Sequence, residues 1–272
     1  MDKEILIAIQ RSYNFFSEME KRLGDYIMEN YYTIENMNIK ELAKIVGTSN
    51  STITRFCKKI GCESFIELKM KLSLASAGSK EEDNDIFNRV YNNYHQIVEC
   101  TKNSLNKEDI DKLTLKIKES RRISIYATGS AGLIANEFKY RLERLGYLVD
   151  SITDSHRMLI NGCVLREGDM AIGISASGFT QEVIQGLQAA KYNKAYTVSV
   201  TNFKNSDITS ICDINLYTYN SKFIKEKSFI NSGLSTLYLI DIISMMLLED
   251  VNTSDKLKDT ISKVKRNKIL NW

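Results

Sequence analysis

The chain has 272 residues, 43% of them hydrophobic and 26% charged, which is ordinary for a globular protein with room for two domains. Its net charge of +3 is too small to mark nucleic-acid binding by itself, so any basic surface has to be local. There is no run of about 18 apolar residues to cross a membrane, and the opening MDKEILIAIQRS has acids and too short an apolar stretch for a secretory signal. Five cysteines, Cys57, Cys62, Cys100, Cys163 and Cys212, are scattered without a C-x-x-C pair. They read as reduced thiols packed as small hydrophobes in the cytoplasm, with no metal site and no cofactor expected.

Residues 1–77 show no strand pattern and predict a bundle of short helices, among them 19–29 and 65–74. Ile39, Leu42, Ala43 and Val46 fall at i, i+3, i+4 and i+7, one apolar stripe of a helix that Gly47 ends. Ser49 is placed to cap the next helix, where Ile53, Phe56, Cys57 and Ile60 repeat the spacing before Gly61. Two short amphipathic helices across a glycine turn predict a helix-turn-helix. The opposite face of the second helix carries Ser51, Arg55 and Lys58, flanked by Thr52 and Lys59, with Thr48 and Asn50 at its entrance. On that face the cations suit phosphates or guanine edges, and Asn50 and the hydroxyls suit base edges in a major groove.

The polar run GSKEEDND over 78–85 reads as a linker, and a connecting helix over 86–105 carries it onward. Beyond it the pattern alternates strand and helix. Strands are predicted over 123–127, 147–151, 170–175, 195–201 and 212–216, a mostly parallel five-stranded sheet flanked by helices. A long apolar helix over 234–248 closes a domain spanning 106–251, and the basic tail 252–272 reads as a solvated end, helical or frayed.

Residues 168–183, GDMAIGISASGFTQEV, read as a buried strand, a hydroxyl-rich turn and a helix start. Hydroxyls and a glycine before a helix N-terminus form a phosphate cradle, with free amides and the helix dipole supplying the attraction. Ser175, Ser177 and Thr180, with amides around Gly178, are the residues expected to hold a phosphate. Two further turns fall at carboxyl ends of strands, where open parallel sheets bind ligands: one with Gly129 and Ser130, the other beginning at Thr201. His156, after the second strand, overlooks the same crevice, and Glu226, before the closing helix, is a candidate for sugar hydroxyls.

The run LAKIVGTSNSTITRFCKKIGCESFIELK resembles the helix-turn-helix of RpiR-type bacterial transcriptional regulators, with Arg55 to Gly61, Phe65, Leu68 and Lys69 carrying the likeness. In that family the second domain is a sugar isomerase (SIS) fold that binds phosphosugars, and Ser175–Thr180 resembles its Ser-x-Ser-Gly-x-Thr motif. The first SIS turn, often Gly-x-Gly-x-Ser, reads Ala127-Thr128-Gly129-Ser130-Ala131 here, with the serine one position early. The resemblance implies an all-α helix-turn-helix bundle joined to an α/β SIS domain. It also implies a double-stranded DNA operator, a phosphorylated sugar effector and a homodimer or homotetramer. Isomerisation needs a tuned base and often a ring-opening histidine. With only two histidines and no convincing carboxylate–histidine pair, the chain reads as a sensor. The alternative is a phosphosugar isomerase or lyase with a vestigial helical bundle.

Overall fold

The computed structural model describes residues 4–34, 37–76, 85–220 and 233–269. They form two compact units. The first comprises 1–104 together with 202–205 and 219–235, and the second comprises 105–201, 206–218 and 236–272.

The first unit is built from α1 (Glu4–Ser12), α2 (Glu18–Ile34), α3 (Ile39–Val46), α4 (Asn50–Lys59), α5 (Phe65–Ser76) and α6 (Ile86–Ser104). Its core gathers Leu6, Ile9, Leu23, Ile27, Leu42, Ile53, Phe56, Leu68 and Leu72, and it includes Cys100 of α6 with Phe203 and Tyr219 from the two later segments. Side chains cap the two central helices. Asn38 accepts from the amides of Lys40 and Glu41 at 3.0 Å, and Glu41 Oε2 accepts from the Asn38 amide at 2.8 Å, a reciprocal capping box. Ser49 Oγ accepts from the Thr52 amide at 3.2 Å. The two helices therefore follow the spacing of their apolar residues: Leu42, Ala43, Ile53, Phe56, Cys57 and Ile60 are buried. The helix read as a connection, α6, belongs to this first unit and buries Ile97 and Cys100 there. Of the expected linker, only Asp85 lies among the described residues.

The second unit holds one five-stranded sheet of β1 (Arg122–Ala127), β2 (Val149–Ile152), β3 (Asp169–Ile174), β4 (Tyr196–Thr201) and β5 (Ile214–Tyr217). The strand order is β2-β1-β3-β4-β5 and every pair is parallel. Side chains alternate across the sheet. Ile123 and Ile125 share one core with α7 (Lys107–Glu119), α8 (Ser130–Arg144) and α11 (Leu234–Leu248). Tyr126 and Ala171 share the other with α9 (Ser155–Val164) and α10 (Gln181–Tyr192). The latter two helices lie close enough that a Cβ on Gly162 would stand 2.4 Å from the Gly186 carbonyl oxygen. A last helix, α12 (Val251–Ile269), takes up the basic segment.

Two strands start two residues later than expected, for local reasons. The Tyr147 amide donates back to Leu142 O at 3.0 Å, which keeps 147 with the end of α8, so β2 begins at Val149. Asp213 directs its carboxylate to the Thr197 amide and hydroxyl at 2.9 and 2.8 Å, so the ladder of β5 starts at Ile214. The apolar spacing of α7 was not singled out in the sequence. No described helix is long and apolar enough to cross a membrane.

Candidate functional site

Strand order reverses between β1 and β3, which run side by side with Ala127 opposite Ile174. In open α/β sheets such a switch point opens a crevice beyond the carboxyl ends of the strands. Here it brings the Gly129–Ser130 turn next to the Ser175–Thr180 turn, with the end of β4 on the far side, where the Ser175 amide donates to Val200 O at 3.0 Å.

The helices leaving these two turns differ in their caps from four others. Asn38, Ser49, Asn106 and Asp154 cap α3, α4, α7 and α9 with side-chain acceptors. Gly129 and Thr180, the N-cap residues of α8 and α10, make no side-chain cap bond. Helix geometry leaves the first amides of each without intrahelical acceptors, so two positive helix ends meet at one crevice. Thr180 spends its hydroxyl elsewhere, on Ser175 Oγ at 2.8 Å.

The turn itself is tightly built. Ser175 is buried and its Oγ accepts from the Gly178 amide at 3.1 Å, while Ser177 Oγ accepts from the Phe179 amide at 3.2 Å and is exposed. Gly178 has φ of 74°, and a Cβ there would stand 2.1 Å from Ser206 Oγ and 2.9 Å from Thr201 Oγ1. Thr201 is buried and donates to Ala176 O at 3.3 Å, and the Ile208 amide donates to Gly178 O at 3.1 Å. Ser175, Ser177, Gly178, Thr180 and Thr201 therefore converge, with Gly129 and Ser130 across the switch point. Ser206 joins them unforeseen. Its signal was the Ser206–Thr209 pair that caps a short 3-10 turn, readable as a cap and not as a neighbour of Gly178. His156 is exposed in the first turn of α9, beyond the edge strand β2. Glu226 lies outside the described residues.

A groove also opens at the opposite, amino-terminal ends of the strands, lined by Lys116, Glu119, Lys191 and Asp213 among others. Two of its lysines are already matched, Lys116 with Glu119 at 2.7 Å and Lys191 with Asp213, and Lys194 also lines it. It offers no positive helix end, so the carboxyl-end crevice is the stronger anion site.

On α4, Ser51, Arg55 and Lys58 are exposed on the face away from the core, with Asn50 at its start and Thr48 just before it. Ser49 Oγ lies 2.8 Å from Ser51 Oγ and 2.9 Å from Thr52 Oγ1, which orders the hydroxyls at the helix entrance. Lys59 faces a different partner. Its Nζ donates to Glu20 Oε2 at 2.7 Å, and the Glu20 side chain is only 7% exposed.

A model of the SIS domain matches residues 116–246, and one of the helix-turn-helix domain of the rpiR family matches residues 3–79. An uncharacterized HTH-type transcriptional regulator of Caldanaerobacter subterraneus subsp. tengcongensis is 28% identical over 256 residues, covering 90% of this chain and 91% of the relative. The structure of the Vibrio vulnificus NanR protein complexed with ManNAc-6P is similar over 96% of this chain and 98% of that one, at 22% identity and a TM-score of 0.62. A putative sugar-phosphate isomerase from Listeria monocytogenes shares the fold over 62% of this chain and 92% of its own, with 18% identity and a TM-score of 0.54. A helix-turn-helix unit and a parallel sheet with its crevice at the switch point thus occur in the order of both matching domains, and the chain belongs to the rpiR-type helix-turn-helix transcriptional regulators that carry a SIS domain.

Proposed function

We propose that the chain binds double-stranded operator DNA through α4 and that a phosphorylated sugar, held at the carboxyl ends of β1, β3 and β4, controls that binding. The observation that carries the effector site is the pair of helix N-termini without side-chain caps, beside three converging hydroxyls. An anion supplies what those amides lack, and hydroxyls hold phosphate oxygens without adding charge. Ser175, Ser177, Thr180 and the Gly178 turn take the phosphate, and Gly129, Ser130, Thr201 and His156 lie around the remainder of the ligand. The sugar phosphate bound by NanR gives the chemical class to test first.

The chain acts as a sensor, not a catalyst. The Ser175–Thr180 turn presents hydroxyls, a glycine and backbone amides, which bind and orient but do not move a proton between adjacent carbons. Arg55 and Lys58 meet DNA phosphates or guanine edges, with Thr48, Asn50, Ser51 and Thr52 nearest the bases. A homodimer or homotetramer presents paired α4 helices, since one small module gives modest specificity.

Titration calorimetry with a panel of hexose and pentose phosphates tests the site. A member of the panel binds the wild-type protein and leaves the Ser175→Ala/Ser177→Ala variant unchanged in fold but without measurable heat. Normal affinity in that variant refutes the site, and sustained turnover of the bound sugar refutes the sensor.

A further inference from the structure

The segment 202–205 leaves the sheet after β4 and belongs to the first unit, while the residues at its two ends, Thr201 and Ser206, belong to the second. Both ends stand at the Gly178 turn: Thr201 Oγ1 donates to Ala176 O, and Ser206 Oγ stands where a Cβ on Gly178 would be. The middle of the segment is fastened to α1 and the turn that follows it. Gln10 is 2% exposed, and its Nε2 donates to Asn202 O at 2.7 Å while its Oε1 accepts from the Asn220 amide at 3.0 Å. Asn14 Nδ2 donates to Asn205 O at 2.6 Å, and the Tyr13 and Phe203 rings lie 5.8 Å apart.

The same place carries unfavourable features. Arg11 Nε and Asn205 Nδ2 are buried donors without a hydrogen-bond partner, which is costly. Burial, and then the nearby Arg11 guanidinium, lower the pKa of the Lys204 ammonium from its ordinary range. Good bonds set against orphaned donors and like charges describe a fastening of modest net strength, which a ligand at one end can shift.

We infer that Gln10 and Asn14 make the segment 202–205 a latch that couples occupancy of the Ser175–Thr180 turn to helix α1 of the helix-turn-helix unit. This rests on the phosphate-site reading above and adds the route of regulation. Phosphate in the turn engages Thr201 at the root of the segment and Ser206 at its end, and displacement there is passed to the Asn202 and Asn205 carbonyls, which the Gln10 and Asn14 carboxamides hold. Gln10 is thus a positioning residue. It needs to touch neither effector nor DNA.

Hydrogen exchange with inorganic phosphate as the probe tests this without a known operator or sugar. In the wild-type protein, saturating phosphate slows exchange at residues 175–183 and changes exchange along α1. In Gln10→Ala, and separately in Asn14→Ala, the protection of 175–183 persists and the response of α1 falls at least several-fold. Circular dichroism and melting temperature verify that each variant is folded, and the milder Asn14→Ala decides if Gln10→Ala is not. A protected turn with no response of α1 in the wild-type protein overturns the latch and leaves the phosphate site standing. An α1 response undiminished in both folded variants overturns it too. No protection of the turn in the wild-type protein overturns the phosphate site, and the latch with it.

Discussion

Gly178 is where the effector turn depends most on one residue. Its φ of 74° disfavours any side chain, and Ser206 and Thr201 already occupy the space a Cβ would need. Gly178→Ala is expected to cost about 1–3 kcal/mol and to weaken sugar-phosphate binding, read by thermal unfolding and calorimetry. The exposed Ser177→Ala should keep stability within about 0.5 kcal/mol and affect binding alone. Glu20 carries a separate, pH-dependent effect. Burial raises its carboxyl, but the bonds from Lys59 and Ser17 and the Lys59 charge outweigh that, so it ionises below its usual range. Its contribution to stability is complete above the unfolded carboxylate pKa of about 4.3 and is lost as pH falls through the lower folded value. The melting temperature of Glu20→Gln should therefore fall less than that of the wild-type protein on acidification below about pH 4.3.

At the scale of the helix, α4 separates its cations by where they point. Arg55 and Lys58 are exposed on the outer face. Each, changed to alanine, should lower operator affinity and reduce the slope of log affinity against log salt by about one, measured by filter binding. Lys59→Ala should leave that slope unchanged and destabilise the helical unit by about 1.5–3 kcal/mol, since it strands the Glu20 carboxylate. The helix wheel shows why sequence grouped these three lysine and arginine side chains together. Periodicity places a residue on a face of its own helix, and a partner 39 positions away in α2 is invisible to it. Local signals were legible for the same reason. Gly47 and Ser49 mark the end of α3 and the start of α4 through interactions within four or five residues, while the Asn38 capping box was not singled out. The hydroxyls before α10 mark its uncapped start, whereas Ser206 meets Gly178 only through the folded return of the chain.

Over the whole molecule, the helical class of the first unit followed from its apolar spacing and the parallel sheet of the second from strand–helix alternation, because buried parallel strands read as short apolar runs whatever their neighbours, and for the same reason the order of the strands was not legible. The membership of the first unit was not legible. Nothing in the pattern of 202–205 or 219–220 shows that Phe203 and Tyr219 complete the core of helices that lie at the other end of the sequence. A fragment of residues 105–272 would expose both rings, and it should bind a hydrophobic dye more strongly than the full chain and melt at lower temperature. Equal dye binding would show that these rings find other cover.

That discontinuity sets an order on synthesis. Phe16 and Phe56 of the first core leave the ribosome early, while Tyr219, packed in the same core, emerges about 200 residues after Phe16. At cellular elongation rates the delay is on the order of 10–40 s. The unit nearest the N-terminus is therefore among the last to be completed, and until then its apolar surface waits for a chaperone or for the rest of its own chain.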